Sequence, residues 1–220
     1  MRIDILTLFP AMFTPFLEES IIKRAIEKGL VTFNIINFRD FTTDPHHKVD
    51  DTPYGGGPGM VLCLQPIVDA LESVRTSSSK VILLTPSGTT YNQKKAKSLS
   101  LEKHLIIICG HYEGFDDRIK LFVDEEISIG DFVLTGGEIP AMAISDSIVR
   151  LLDGVINKES LLNESFEDNL LDYPNYTKPR NFRGYEVPSV LLSGDHEKIA
   201  LYRKSEQERL TKEKREDLLH

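Results

Sequence analysis

Leu105-Ile106-Ile107-Ile108-Cys109-Gly110-His111-Tyr112-Glu113-Gly114 decides the fold class: five apolar residues run straight into a polar, glycine-containing segment. A continuous apolar run of that length is the pattern of a strand buried on both faces, as in a parallel sheet covered by helices on either side. Upstream, Val81 to Leu84 gives way in the same manner to Thr85-Pro86-Ser87-Gly88. A third glycine-rich stretch, Ile129 to Glu138, follows the acidic patch Asp124-Glu125-Glu126. Ligands of open α/β sheets sit outside the carboxyl ends of the strands, so the three segments are expected to converge on one site.

Working outward, strands and helices alternate through the first two thirds of the chain. Arg2 to Phe9 reads as a strand that Pro10 stops, and Met12 to Lys28 reads as one amphipathic stretch closed by Gly29. Leu30 to Phe38 is the next expected strand, followed by a polar loop from Asp40 to Asp51 and the cluster Tyr54-Gly55-Gly56-Gly57-Pro58-Gly59. Leu64 to Val74 reads as a helix with Pro66 in its first turn, and Ile139 to Leu152 as another. From Asp153 to about Asp172 the apolar periodicity lapses, which marks a candidate linker, and a charged helical tail begins at His196.

The 220 residues are 40% hydrophobic and 27% charged, the composition of a globular protein with room for one large domain and a small appendage. No apolar run approaches the ~18 residues that span a bilayer, so no membrane partner is expected. The N-terminus reads as a strand rather than a signal peptide, and Cys63 and Cys109 are expected to stay reduced in the cytoplasm. Net charge is −8. Residues 172–220 hold 10 Lys+Arg and 9 Asp+Glu, a net +1; the other 171 residues hold 16 and 25, so the acidity belongs to the larger part.

The phosphate loop G-x-x-x-x-G-K-[ST] and the dinucleotide fingerprint G-x-G-x-x-G are both missing, which argues against an NTPase or a Rossmann dehydrogenase. Glycine-containing turns could instead hold a ligand through main-chain groups, or could simply make tight turns. His46 and His47 are adjacent, so on extended chain they point apart and make a poor chelating pair. Asp50-Asp51 could orient a base or bind a cation, or could be exposed or capping. Arg150 reads as a cation at a helix C-terminus, and Glu164 as a carboxylate in the aperiodic segment.

Taken together, several blocks closely resemble the bacterial tRNA (guanine-N1)-methyltransferase family of the SPOUT superfamily. They are Val49-Asp50-Asp51 through Met60, Cys109 to Gly114, Ser128 to Glu138, Leu170 to Pro174, Tyr176 to Pro179, and Val187 to Gly194. The resemblance implies an α/β fold: a trefoil-knotted SPOUT-type methyltransferase domain with a mostly parallel sheet, plus a small helical C-terminal domain. Its expected layout is residues 1–157 for the catalytic domain, 158–173 for a linker carrying the general base, and 174–220 for the tRNA-binding domain. It also implies a cytoplasmic homodimer with active sites built across the subunit interface.

By matching position, S-adenosyl-L-methionine would lie against Leu84, Thr85, Pro86 and Gly88, and against Gly110, Tyr112, Glu113 and Gly114. The third segment would add Ile129, Gly130, Asp131, Phe132, Val133, Leu134, Gly136, Gly137 and Pro140. Glu113 could face either the cofactor or RNA. The anticodon stem-loop of tRNA would meet Asp50, Gly55, Gly56, Gly57 and Gly59, and the cations Lys178, Arg180 and Arg183. The methyl acceptor would be N1 of guanosine 37, with Glu164 as general base and Arg150 stabilising O6. The family has an aspartate where Glu164 stands, and Asp168 is the nearest substitute. Where the family has Trp-Arg this chain has Tyr202-Arg203, and its C-terminal domain is short. A magnesium requirement is implied too, with no ligand cluster in the sequence to place it. The rival readings are a knotted methyltransferase with another RNA target and an inactive RNA-binding module of the same fold.

Overall fold

In the computed structural model, residues 1–157, 160 and 164–219 are described. The chain divides into two compact units, Met1–Ile156 and Asn157–His220. Of the expected linker, residues 158, 159 and 161–163 lie outside the described residues.

The first unit is built on five strands: β1 (Arg2–Thr7), β2 (Thr32–Asn37), β5 (Ser79–Thr90), β6 (His104–Ile108) and β7 (Glu125–Ser128). They lie in the order β2-β1-β6-β5-β7, and every neighbouring pair is parallel. Two-residue strands β3 (Asp50–Asp51) and β4 (Val61–Leu62) form a separate antiparallel pair. Helices α1 (Thr14–Glu18), α2 (Ser20–Glu27), α3 (Leu64–Val74), α4 (Gln93–Leu99) and α5 (Glu138–Val149) fill the connections.

The period-2 alternation of the strands sorts their side chains into two cores. Ile3, Ile5, Ile82, Leu84, Leu105 and Ile107 face one side, where α2 and α5 deliver Ile22, Ala141, Ile144 and Ile148. Leu6, Val81, Leu83, Ile106 and Ile108 face the other, where α3 delivers Ile67, Ala70 and Leu71. This two-sided burial explains why the strands read as uninterrupted apolar runs. At the amino ends of the strands, the buried Asp4 carboxylate accepts from the Arg2 guanidinium at 2.9 and 2.7 Å and pairs with His104 Nε2 at 2.9 Å. His104 Nδ1 in turn meets Ser79 Oγ at 2.7 Å, so β1, β6 and β5 are fastened together at the end opposite the glycine segments.

Two sequence expectations need correction. The stretch from Met12 to Lys28 is not one helix: Glu19 is extended (φ −127°, ψ 158°) and Ser20 has φ 57°. An unbroken helix turns about 100° per residue and would set Phe13 and Ile22 on opposite faces. The break brings both into the same core, with Phe13 fully buried. The strand through Val81–Leu84 also does not end there. Leu84 and Thr89 both pair with Ile127, so Thr85 to Gly88 form a bulge inside one long strand.

The second unit carries a short hairpin, β8 (Asn181–Phe182) with β9 (Tyr185–Glu186), and one long helix, α6 (His196–Lys214). Asp195 caps that helix, its side chain accepting from Lys198 N at 3.1 Å. Thr211 is the only buried residue of this unit among those described.

Candidate functional site

Because β6, β5 and β7 are neighbours in the sheet, the segments that leave them meet. Together they line a cavity of about 410 Å³. Leu84, Thr85 and Pro86 come from the bulge, Gly110, Tyr112, Glu113 and Gly114 from the β6 segment. Ile129, Gly130, Phe132, Val133, Leu134, Gly136, Gly137 and Pro140 complete the wall from the segment after β7. Two residues expected there are placed otherwise. Asp131 is not among the lining residues, and Gly88 packs on β7, where a Cβ would come within 2.5 Å of Ile127 N.

The second and third segments are joined by main chain. Gly137 N donates to Gly110 O at 2.8 Å, and His111 bridges to Gly136. A Cβ on Gly137 would lie 2.7 Å from Cys109 Cα, so glycine is what lets the two strands of this wall touch. Beneath them the buried Glu138 carboxylate accepts from Thr7 Oγ1 at 2.7 Å, tying the start of α5 to the carboxyl end of β1. Burial and the nearby Glu138 charge push the Cys109 thiol well above its ordinary range, so it is an inert part of this floor.

The glycine cluster packs onto the same wall. Gly55, Gly56, Gly57 and Gly59 all have positive φ, in an exposed loop that rises between β3 and β4. Glu113 N donates to Met60 O at 3.1 Å and Leu62 N to Gly114 O at 2.9 Å. The Glu113 side chain lies against Gly59, where a Cβ would collide with it, and the same residue lines the cavity. Glu113 therefore borders both the cavity and the glycine loop. Asp50 is half-buried at the base of that loop, in β3.

Arg150 caps the C-terminus of α5 in the αR conformation (φ −62°, ψ −20°). Glu164 is half-buried in the second unit. Lys178 and Arg180 are exposed there, and Arg183 occupies the left-handed turn of the hairpin with its guanidinium 5.2 Å from the Phe182 ring centre. His46 and His47 sit in an exposed loop whose Asp44 side chain accepts from the N–H groups of His46 and Lys48, a solvated turn rather than a ligand pair.

Several lining residues were not singled out from sequence. Ser87, His111 and Thr135 lie inside the quoted segments and could have been found there. Phe115 and Lys120 come from chain beyond them, and only the folded path of the backbone brings them in. Among the described residues no group of three His, Cys, Asp or Glu side chains is arranged to hold a metal ion. No helix among them is long and apolar enough to cross a membrane.

The model of a family described as tRNA (Guanine-1)-methyltransferase TrmD matches residues 1–220. The chain belongs to this family. A tRNA (guanine-N(1)-)-methyltransferase of Malacoplasma penetrans is 62% identical over 218 residues, 99% of this chain and 96% of that one. The protein of the same name from Carboxydothermus hydrogenoformans is 58% identical over all of this chain and 87% of its own. That of Clostridioides difficile is 54% identical over 99% and 97%.

For a methyltransferase of the TrmD family, the cavity can be tested against a methyl donor of nucleoside size. Its volume falls in the range of small-molecule sites, about 300 to 1,000 Å³. Gly110, Gly130, Gly136 and Gly137 expose main chain along its wall, suited to the hydrogen-bonding edge of a nucleobase. Phe132, Val133, Leu134 and Pro140 supply apolar surface for the flat ring. The residues present fit such a group.

Proposed function

We propose that this protein is an S-adenosyl-L-methionine-dependent tRNA (guanine-N1)-methyltransferase that modifies guanosine 37, 3′ of the anticodon. The observation that carries the reading is that the segments after β5, β6 and β7 wall one shared cavity in a chain that matches this family from end to end.

N1 of guanine holds a proton at neutral pH and is a poor nucleophile until that proton leaves. The Glu164 carboxylate takes it as general base. As it leaves, negative charge grows on O6, and the Arg150 guanidinium at the end of α5 stabilises that charge more in the transition state than in the ground state. S-adenosyl-L-methionine, when bound, supplies a methyl group on a sulfonium, whose C–S electron pair stays on sulfur as the N1–C bond forms. The wall of glycine main chain fixes the donor's orientation, and the exposed Gly55 to Gly59 loop leaves room for a flat base beside it. No step is assigned to magnesium.

The working form in this reading is a cytoplasmic homodimer, the second unit of one chain covering the guanosine held by its partner. The reading includes the trefoil knot of the SPOUT type, which the resemblance to the family implies. Lys178, Arg180 and Arg183 are exposed cations for the anticodon stem-loop in the less acidic part of the chain.

Incubating the enzyme with donor and an unmodified tRNA transcript carrying guanosines at 36 and 37 is expected to give 1-methylguanosine at position 37 alone. Replacing that guanosine by adenosine abolishes the product. Methylation at any other position, or none with folded protein and bound donor, contradicts the reading and in the second case favours an inactive RNA-binding module.

A further inference from the structure

The segment that follows Glu164 is closed on itself and hydrogen-bonded to α6 through Thr211. Phe166, Asp168 and Asn169 all have left-handed φ, and the reversal they make is closed by Phe166 N donating to Leu170 O at 2.6 Å. Asp172 N donates to Ser165 Oγ at 3.0 Å across the same loop. The fastening is Leu171 N, which donates to Thr211 Oγ1 at 2.8 Å. That hydroxyl spends its own proton on Gln207 O at 2.7 Å, one turn back in the helix, so its lone pair is aimed at the loop. One turn further on, the Arg215 guanidinium lies 5.8 Å from the Phe166 ring centre.

In a unit whose other described residues are all at least partly exposed, Thr211 is fully buried. A threonine is a mediocre helix former, and its hydroxyl here is engaged on both sides, accepting from Leu171 N and donating to Gln207 O. Three non-glycine residues in the left-handed region cost energy that the closing bonds must offset. The closing bonds hold the loop's shape, and the bond to Thr211 fixes its place on α6.

We propose that Thr211 is a positioning residue for methyl transfer: by accepting the Leu171 N–H it sets the loop of residues 165–172 on α6 and thereby the place of the Glu164 carboxylate. This rests on Glu164 being the general base. A base must come within about 2.6 to 3.2 Å of its proton, so a loop displaced by an ångström loses rate while RNA and donor still bind.

The test compares single-turnover methyl transfer, KM for tRNA and KM for donor in Thr211→Val, Thr211→Ser and Glu164→Gln. Thr211→Val keeps the branched shape and removes the acceptor. Its rate should fall about tenfold or more with both KM values within about twofold, and Thr211→Ser should restore it. A wild-type rate in Thr211→Val alongside an inactive Glu164→Gln overturns the positioning role and leaves the base intact. A wild-type rate in Glu164→Gln overturns the base itself. Hydrogen exchange of the Leu171 amide in the unsubstituted protein is a check that needs no variant to fold: protection is expected, and exchange at the rate of an open peptide overturns the anchor.

Discussion

Gly88 is required by the backbone packed against it. A Cβ there would stand 2.5 Å from Ile127 N and 2.6 Å from the Glu126 carbonyl carbon, neither of which can move without shifting β7. Gly88→Ala should therefore destabilise the protein by about 1–3 kcal/mol, read as a lower urea midpoint with an unchanged slope. An unchanged midpoint would mean that the bulge relaxes freely. The sequence marks Gly88 as a residue where chain comes close but not which chain, and that is why it reads equally well as a ligand contact. Arg150 and Glu164 show the opposite limit. Their surroundings in the sequence are those of ordinary surface charges, and only the family resemblance singles them out.

At the scale of elements, legibility followed burial. The runs Val81 to Leu84 of β5 and Leu105 to Ile108 of β6 were readable because both faces of the sheet are covered and every residue of each run is apolar. The break at Glu19 and Ser20 was not, since the demand it answers, getting both Phe13 and Ile22 into one core, is tertiary. The loop between the short helical turn at Phe38–Phe41 and β3 makes a prediction of its own. Backbone N–H groups of Lys48 and His46 hold the Asp44 carboxyl below the ordinary carboxylate range. A group with a lowered folded value contributes fully above its unfolded pKa, and the contribution goes as pH falls through the lowered one. The side-chain carboxyl carbon signal of Asp44 should thus titrate with a midpoint below that of an ordinary aspartate. A midpoint at or above the ordinary value would contradict the bonding.

Across the whole molecule, a net charge of −8 would repel RNA at long range, so attraction has to be local. Residues 172–220, at a net +1, can supply it because several of their acids are already engaged: Arg209 is bonded to both Glu206 and Glu213, and Asp195 is spent on capping α6. The proposed function rests on the Glu164 carboxylate removing a proton from N1. Its most direct test is the single-turnover rate of methyl transfer by Glu164→Gln with saturating tRNA and donor. The variant keeps the size of the side chain and cannot act as a base at neutral pH, so a fall of about 100-fold or more is expected, with tRNA and donor affinity unchanged. A rate equal to that of the unsubstituted enzyme would contradict it.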